Sequence, residues 1–196
     1  MYINYPRPLH YWNYFLTIED ELIETIKYVE LNMENKNTFS IKYTKIILEA
    51  SSEVEVLLNQ ISKRYGLTKK RSNWGDYFQI VNKNLKTLIT DGMVLEQYGI
   101  IVKPFIDWKK EEELEWHKAY NSLKHDRGKH YKKANMENAL DSVSALFTTV
   151  IHYYQCIAKI ESGNMKTRIS DVVNSITPNA KLIRYSDEHN NWNVVN

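Results

Sequence analysis

Apolar residues recur at helical spacing through most of the chain. Ile18, Leu22, Ile26, Val29 and Met33 form the first stripe. Thr17 precedes it, and Glu19 and Asp20 follow, where a hydroxyl acceptor and carboxylates suit a helix N-terminus. A helix from Thr17 to about Met33 is therefore predicted, ended by the Asn-rich stretch 32–37. A longer helix is predicted from Ser40, with Tyr43, Ile46, Ile47, Ala50, Val54, Leu57, Leu58 and Ile61 on one face and Gly66 as its stop. A third, shorter one starts at Ser72 or Asn73 and carries Trp74, Phe78, Val81 and Leu85. Between Leu85 and Trp108 the period fails. Thr90-Asp91-Gly92 reads as a turn and the run from Gly99 to Pro104 as extended, an irregular insertion over about 86–108 with a small hairpin. Helicity resumes around Lys110, with Trp116, Tyr120 and Leu123 on the apolar face and a break at Gly128. Asn135 caps the last long helix, which buries Leu140, Val143, Phe147, Val150, Tyr154 and Ile157 and closes at Gly163. The expected fold is all-α: an antiparallel bundle of about four to five helices over 1–163, carrying the insertion, then a polar C-terminal extension, 164–196, in which 181–185 is strand-like.

Composition agrees with this pattern. Only 6 Gly and 4 Pro occur in 196 residues, which suits long helices, and the length supports one core without metal or disulfide staples. The net charge of +2 argues against a histone-like or acidic-tail protein. Cys156 is the only cysteine and sits in an apolar helical run, so a buried inert thiol is favoured over a nucleophile. The first residues lack a signal-peptide pattern, and no apolar run reaches the roughly 18 residues of a membrane span, so a cytoplasmic location off the membrane is expected.

Chemistry is sought where a polar side chain occupies a position suited to packing. Glu53 falls at the edge of the second stripe, with Glu49 and Glu55 expected to point further towards solvent. Arg127 continues the Trp116–Tyr120–Leu123 line if that helix persists. His117, Asn121, Lys124 and His125 share a flank, and Asp126 is the only acid between Asn121 and Lys133. Two readings stay open: a solvated basic helix end, or a polyanion site with an imidazole for proton transfer. His117, His125 and His130 do not match a zinc-motif spacing, and no metal or cofactor is expected. Lys63, Arg64, Lys69, Lys70 and Arg71 read as a solubilising loop. The aromatic N-terminus (Tyr2, Tyr5, Tyr11, Trp12, Tyr14 and Phe15) reads as packing rather than a base-stacking platform.

Trp116-x3-Tyr120-Asn121-x-Leu123-Lys124-His125-x-Arg127, followed by Ala134-Asn135-x2-Asn138-Ala139-Leu140, resembles bacterial helical proteins of the HEPN-like type (higher eukaryotes and prokaryotes nucleotide-binding). The run from Phe39 to Glu55 resembles their second helix, and the likeness spans roughly Tyr11 to Ala158. It implies a helical bundle that forms a homodimer, RNA as ligand, and an antitoxin or nucleotidyltransferase as protein partner. It also implies metal-independent endoribonuclease activity in bacterial defence or toxin–antitoxin systems. The family signature places a histidine a few residues after an arginine and its polar neighbour. Here His130 follows Arg127 after two residues, and His125 precedes it. Cleavage on this reading uses His125 as base or acid, Arg127 and Lys124 to stabilise the phosphorane, and Asn121 as a positioning donor. Glu53 orients the arginine or raises the basicity of the imidazole, while Lys129, His130, Lys132 and Lys133 contact the nucleic acid. The competing expectation is a non-catalytic interaction or nucleotide-binding module, in which Glu53, Lys124 and Arg127 form a buried network beneath Trp116.

Overall fold

Ser40 is extended, and its Oγ accepts the backbone N–H of Tyr43 at 3.1 Å. This N-cap opens the helix Ile41–Arg64 (α2), which Gly66, at φ +92°, ends in the left-handed conformation that a side chain disfavours. Asn135 caps Met136–Glu161 (α7) in the same way, its Oδ1 accepting from Asn138 N at 2.9 Å. Asn73 and Asp76 form a reciprocal capping box at Trp74–Asn84 (α3). These features come from a computed structural model, which describes residues 9–110, 112–161, 167–177 and 179–186.

Eight α-helices occur among the described residues, with a small three-stranded sheet, so the fold is mostly helical and a bundle of four to five helices is too few. The remaining helices are His10–Ile26 (α1), Thr87–Thr90 (α4), Glu115–His125 (α5), Arg127–His130 (α6) and Ile169–Ile176 (α8). α1 starts seven residues before the predicted Thr17 and stops at Ile26, well short of Met33. Thr17 lies inside it, its hydroxyl donating to Asn13 O at 3.2 Å. The stripe extends upstream through Trp12 and Phe15, both buried, so packing sets the start of the helix. Tyr2 and Tyr5 lie outside the described residues, as do Gly163, Pro178 and the end of the tail.

The bundle is not wholly antiparallel. The segments before α2 and α7 meet as a bridge, Phe39 with Asn135, tied by Ser40 N to Ala134 O (3.1 Å) and Met136 N to Thr38 O (3.0 Å). From there the contacts advance together, Ser51 with Ser142 and Gln60 with Tyr153, so α2 and α7 run parallel. α1 runs against both: Tyr11 reaches Gln60 at one end, and Glu21 pairs with Lys42 and Lys45 at the other. α5 is likewise antiparallel to α2.

α7 is buried almost all round, the pattern of a central helix. Three of its buried hydroxyls are bonded: Ser142 with Ser51 (3.2 Å), Ser144 to Val102 O (3.2 Å) and Thr149 to Ala145 O one turn back (2.7 Å). The face away from α2 is covered by the expected hairpin, Gly92–Leu95 (β1) with Ile100–Val102 (β2), to which Arg184–Ser186 (β3) adds antiparallel in the order β2-β1-β3. At Gly92 a Cβ would lie 2.1 Å from Val102 O, so the strands close only around glycine.

The C-terminal segment is joined to this body. The buried carboxylate of Glu19 accepts three backbone N–H groups, from Lys181 (3.0 Å), Leu182 (2.9 Å) and Ile183 (3.0 Å). Asp91, also buried, accepts from the Tyr185 hydroxyl and lies 2.9 Å from His152 Nε2. No helix among the described residues is long and apolar enough to cross a membrane.

Candidate functional site: the His117 cluster and the basic face

α5 buries Trp116, Tyr120 and Leu123, as its period predicts, and Trp116 Nε1 donates to Pro104 O at 2.9 Å. Its polar flank meets α2 at Glu55, not Glu53. His117, only 4% exposed, sets Nε2 3.1 Å from Glu55 Oε1, while its Nδ1 contacts Glu113 Oε1. Tyr120 donates its hydroxyl to Glu55 Oε2 at 3.4 Å, and Lys124 donates to the Tyr120 oxygen at 3.1 Å. Asn121 donates to Glu113 Oε1. The indole of Trp74 stacks on His117, centroids 3.9 Å apart and planes within 10°. The His117 hydrogen bond, aided by Lys124 and Tyr120, holds the Glu55 carboxyl below the usual range against the opposing effect of burial. The bond to Tyr120 shifts the Lys124 ammonium upward.

Glu53 sits on the other flank of α2, where its charge is felt by Tyr14 of α1, and burial raises its pKa. Among the described residues no hydrogen bond or ion pair joins it to Asn121, Lys124, His125 or Arg127. The two glutamates are two residues apart, about 200° on a helical wheel. Both lie beside the apolar stripe, and only the packing of α5 decides which faces it.

α5 ends at His125. Asp126 leaves helical geometry (φ −148°, ψ 78°) and its carboxylate accepts from Lys129 N at 3.2 Å, starting α6 in a new direction. The break is therefore at Asp126, before Gly128, and Arg127 leaves the Trp116–Tyr120–Leu123 line. No buried network of Glu53, Lys124 and Arg127 forms beneath Trp116; Arg127 is exposed. It lines a groove of about 670 Å³ with Ile41, Thr44, Lys45, Leu48, Glu49, Gly128 and Tyr131. A second groove, about 530 Å³, adjoins it and is lined by Phe39, Gly128, Lys129, His130, Tyr131, Lys132 and Lys133. Phe39 meets Tyr131 edge-on at 5.4 Å, so an aromatic pair stands at the boundary. Lys133 is partly engaged, donating to Ser122 Oγ at 3.0 Å.

The residues singled out in sequence thus fall into three places. Asn121 and Lys124 join the His117 cluster, while Arg127, Lys129, His130, Lys132 and Lys133 line the paired grooves. His125 is exposed at the end of α5, and Glu53 faces α1. Sequence reasoning missed Glu55, Glu113 and Trp74, and undervalued His117. It also missed Asp141, whose signal was an acid beside the apolar face of α7. Asp141 lines a cleft of about 230 Å³ with Lys103, Asp107, Glu113 and Lys118 among others. Burial, reinforced by Glu137, pushes its carboxyl up to about 7.

In the basic segment 63–71, Arg64 lies over the Tyr153 ring at 5.2 Å, and Lys69 bonds Asp76 at 2.6 Å. Cys156 is buried, and burial raises its thiol pKa, which suits an inert group. Among the described residues no three His, Cys, Asp or Glu side chains are placed to hold a metal ion. Comparison with family models, curated proteins and solved structures finds no match for this chain.

Proposed function

We propose that this chain binds RNA along the face built by α6 and the turn that follows it. One observation carries the reading: Asp126 breaks α5 so that Arg127, Lys129 and Lys132 project around two adjoining grooves that share Tyr131. Cations that track phosphates beside an exposed aromatic edge are the elements of sequence-tolerant single-strand recognition. Within this reading His125 and Arg127 are the groups for metal-independent cleavage. The imidazole takes the 2′-hydroxyl proton as that oxygen attacks phosphorus, the guanidinium stabilises the phosphorane, and the P–O5′ bond breaks as water supplies a proton to the leaving 5′-oxygen. Asn121 and Lys124, tied to Glu113 and Tyr120, hold α5 in position rather than touch the phosphate. Glu53 lies outside this arrangement. The HEPN-like resemblance adds a bacterial defence or toxin–antitoxin setting and a homodimer.

A second reading, a non-catalytic binding module, is favoured by the hydrogen bonds that tie Asn121 to Glu113 and Lys124 to Tyr120. The two separate by experiment. Purified protein is incubated with mixed RNA in chelator beside His125→Ala and Arg127→Met. The cleaving enzyme predicts loss of about a hundredfold or more on His125→Ala. Binding without cleavage, weakened by Arg127→Met, supports the module. Neither binding nor cleavage sinks both readings.

A further inference from the structure

We propose that the His117 cluster is a proton-operated latch joining α2, α3 and α5 to the arm that precedes α5. Both ring nitrogens of this buried histidine face carboxylates, Nε2 at 3.1 Å from Glu55 and Nδ1 in contact with Glu113. A neutral imidazole offers one N–H and one lone pair, so only the doubly protonated ring donates to both partners. Deprotonation at Nδ1 leaves a lone pair beside the Glu113 oxygen, and the Asn121 amide, 3.5 Å from Nδ1 and already donating to Glu113, is then shared between the two acceptors. Trp74 stacks on the ring at 3.9 Å, where an indole face favours a cation over a neutral ring.

The other titratable groups around the ring do not replace that charge. Tyr77 on α3 and Tyr120 on α5 are phenols near Glu55, and Lys124 is bound to the Tyr120 oxygen. Glu55 keeps the Tyr120 hydroxyl as a partner when the ring changes state. Glu113 keeps only the Asn121 amide, so it is the attachment that yields. Asp141 lines a cleft with Glu113 and gains charge near neutral pH, but the carboxylate acting on it is Glu137, with Lys103 and Lys118 also lining the cleft. Acidification closes the latch and alkalinisation loosens it.

Amide hydrogen exchange of the full chain, corrected for intrinsic rates, tests this between about pH 5.5 and about pH 8.5. Protection over 113–117 and 74–77 is expected to fall roughly tenfold or more across that range, the size of a lost charge-assisted hydrogen bond. Tryptophan emission should rise with the same midpoint, as a quenching imidazolium leaves Trp74. Trp74→Phe should remove the emission step and keep the exchange step. Glu113→Gln, whose amide can donate or accept, should stay protected at the alkaline end. Protection that does not vary with pH, or an exchange step of equal size in Glu113→Gln, overturns the proposal. Nitrogen-15 shifts of the His117 ring give a reading that needs no variant, and a neutral tautomer at the acidic end overturns it too.

Discussion

Glu19 and Asp141 differ in the hydrogen bonds they receive. Glu19 receives three backbone N–H groups, each donating to a full negative charge. Glu19→Gln leaves one oxygen for that set and should cost about 2–4 kcal/mol in urea denaturation, with faster exchange over 181–185. Asp141 has no hydrogen bond or ion pair among the described residues, and burial lifts its pKa to about 7. Its folded pKa lies above the unfolded value of about 3.9, so the folded state holds the proton more tightly between the two. Stability therefore declines as pH rises from about 4 to about 7, then levels. Asp141→Asn should raise stability by on the order of 1–3 kcal/mol near pH 8 and by nothing below about pH 4. Denaturation at both pH values checks the sign, and a substitution that destabilises at pH 8 contradicts it.

Helix boundaries were legible where a cap is local and illegible where packing decides. Ser40, Asn73 and Asn135 each accept a backbone N–H from within their own first turn, so their side chains announce the start. Thr17 offers the same chemistry, yet the Trp12 and Phe15 stripe carries α1 past it. Thr17→Ala should accordingly change stability by less than about 0.5 kcal/mol, whereas loss of a true N-cap costs about 1. The hairpin was readable from Gly99, which closes the turn between the strands at φ +61°, whereas Thr90-Asp91-Gly92, read as a turn, is the end of α4 and the start of β1. The hairpin's place against α7 was not, because that depends on contacts far apart in sequence, such as Ser144 Oγ with Val102 O, while its own closure depends on Val102 approaching Gly92. Gly92→Ala should destabilise by roughly 2 kcal/mol or more, since the obstructing atom is backbone and cannot rotate away. Thermal unfolding measures it.

At the scale of the molecule, the apolar stripes foretold a mostly helical body but not the direction in which α2 and α7 run. Their parallel alignment follows from the paired segments before Ile41 and Met136, which no periodicity reveals. Strand β3 returns from the far end of the chain to β1, and Glu19 ties the residues before it to α1, so the tail covers part of the core. The candidate site was legible as a stretch of residues and illegible as a geometry. The run from Asn121 to Lys133 stood out by composition, but Asp126 divides it, with Asn121 and Lys124 bonded into the His117 cluster before it and a basic face after it. That division is the centre of the functional account, because it leaves Arg127, Lys129 and Lys132 to solvent beside the two grooves.

Fluorescence anisotropy of a labelled single-stranded RNA over a series of salt concentrations tests it most directly. The account predicts that log affinity falls linearly with log salt. In Lys129→Ser with Lys132→Ser the slope should be shallower by about 0.7 per lysine removed, with unchanged thermal stability. RNA binding of equal strength and equal salt slope in that variant, or no binding by the parent protein at low salt, would contradict it.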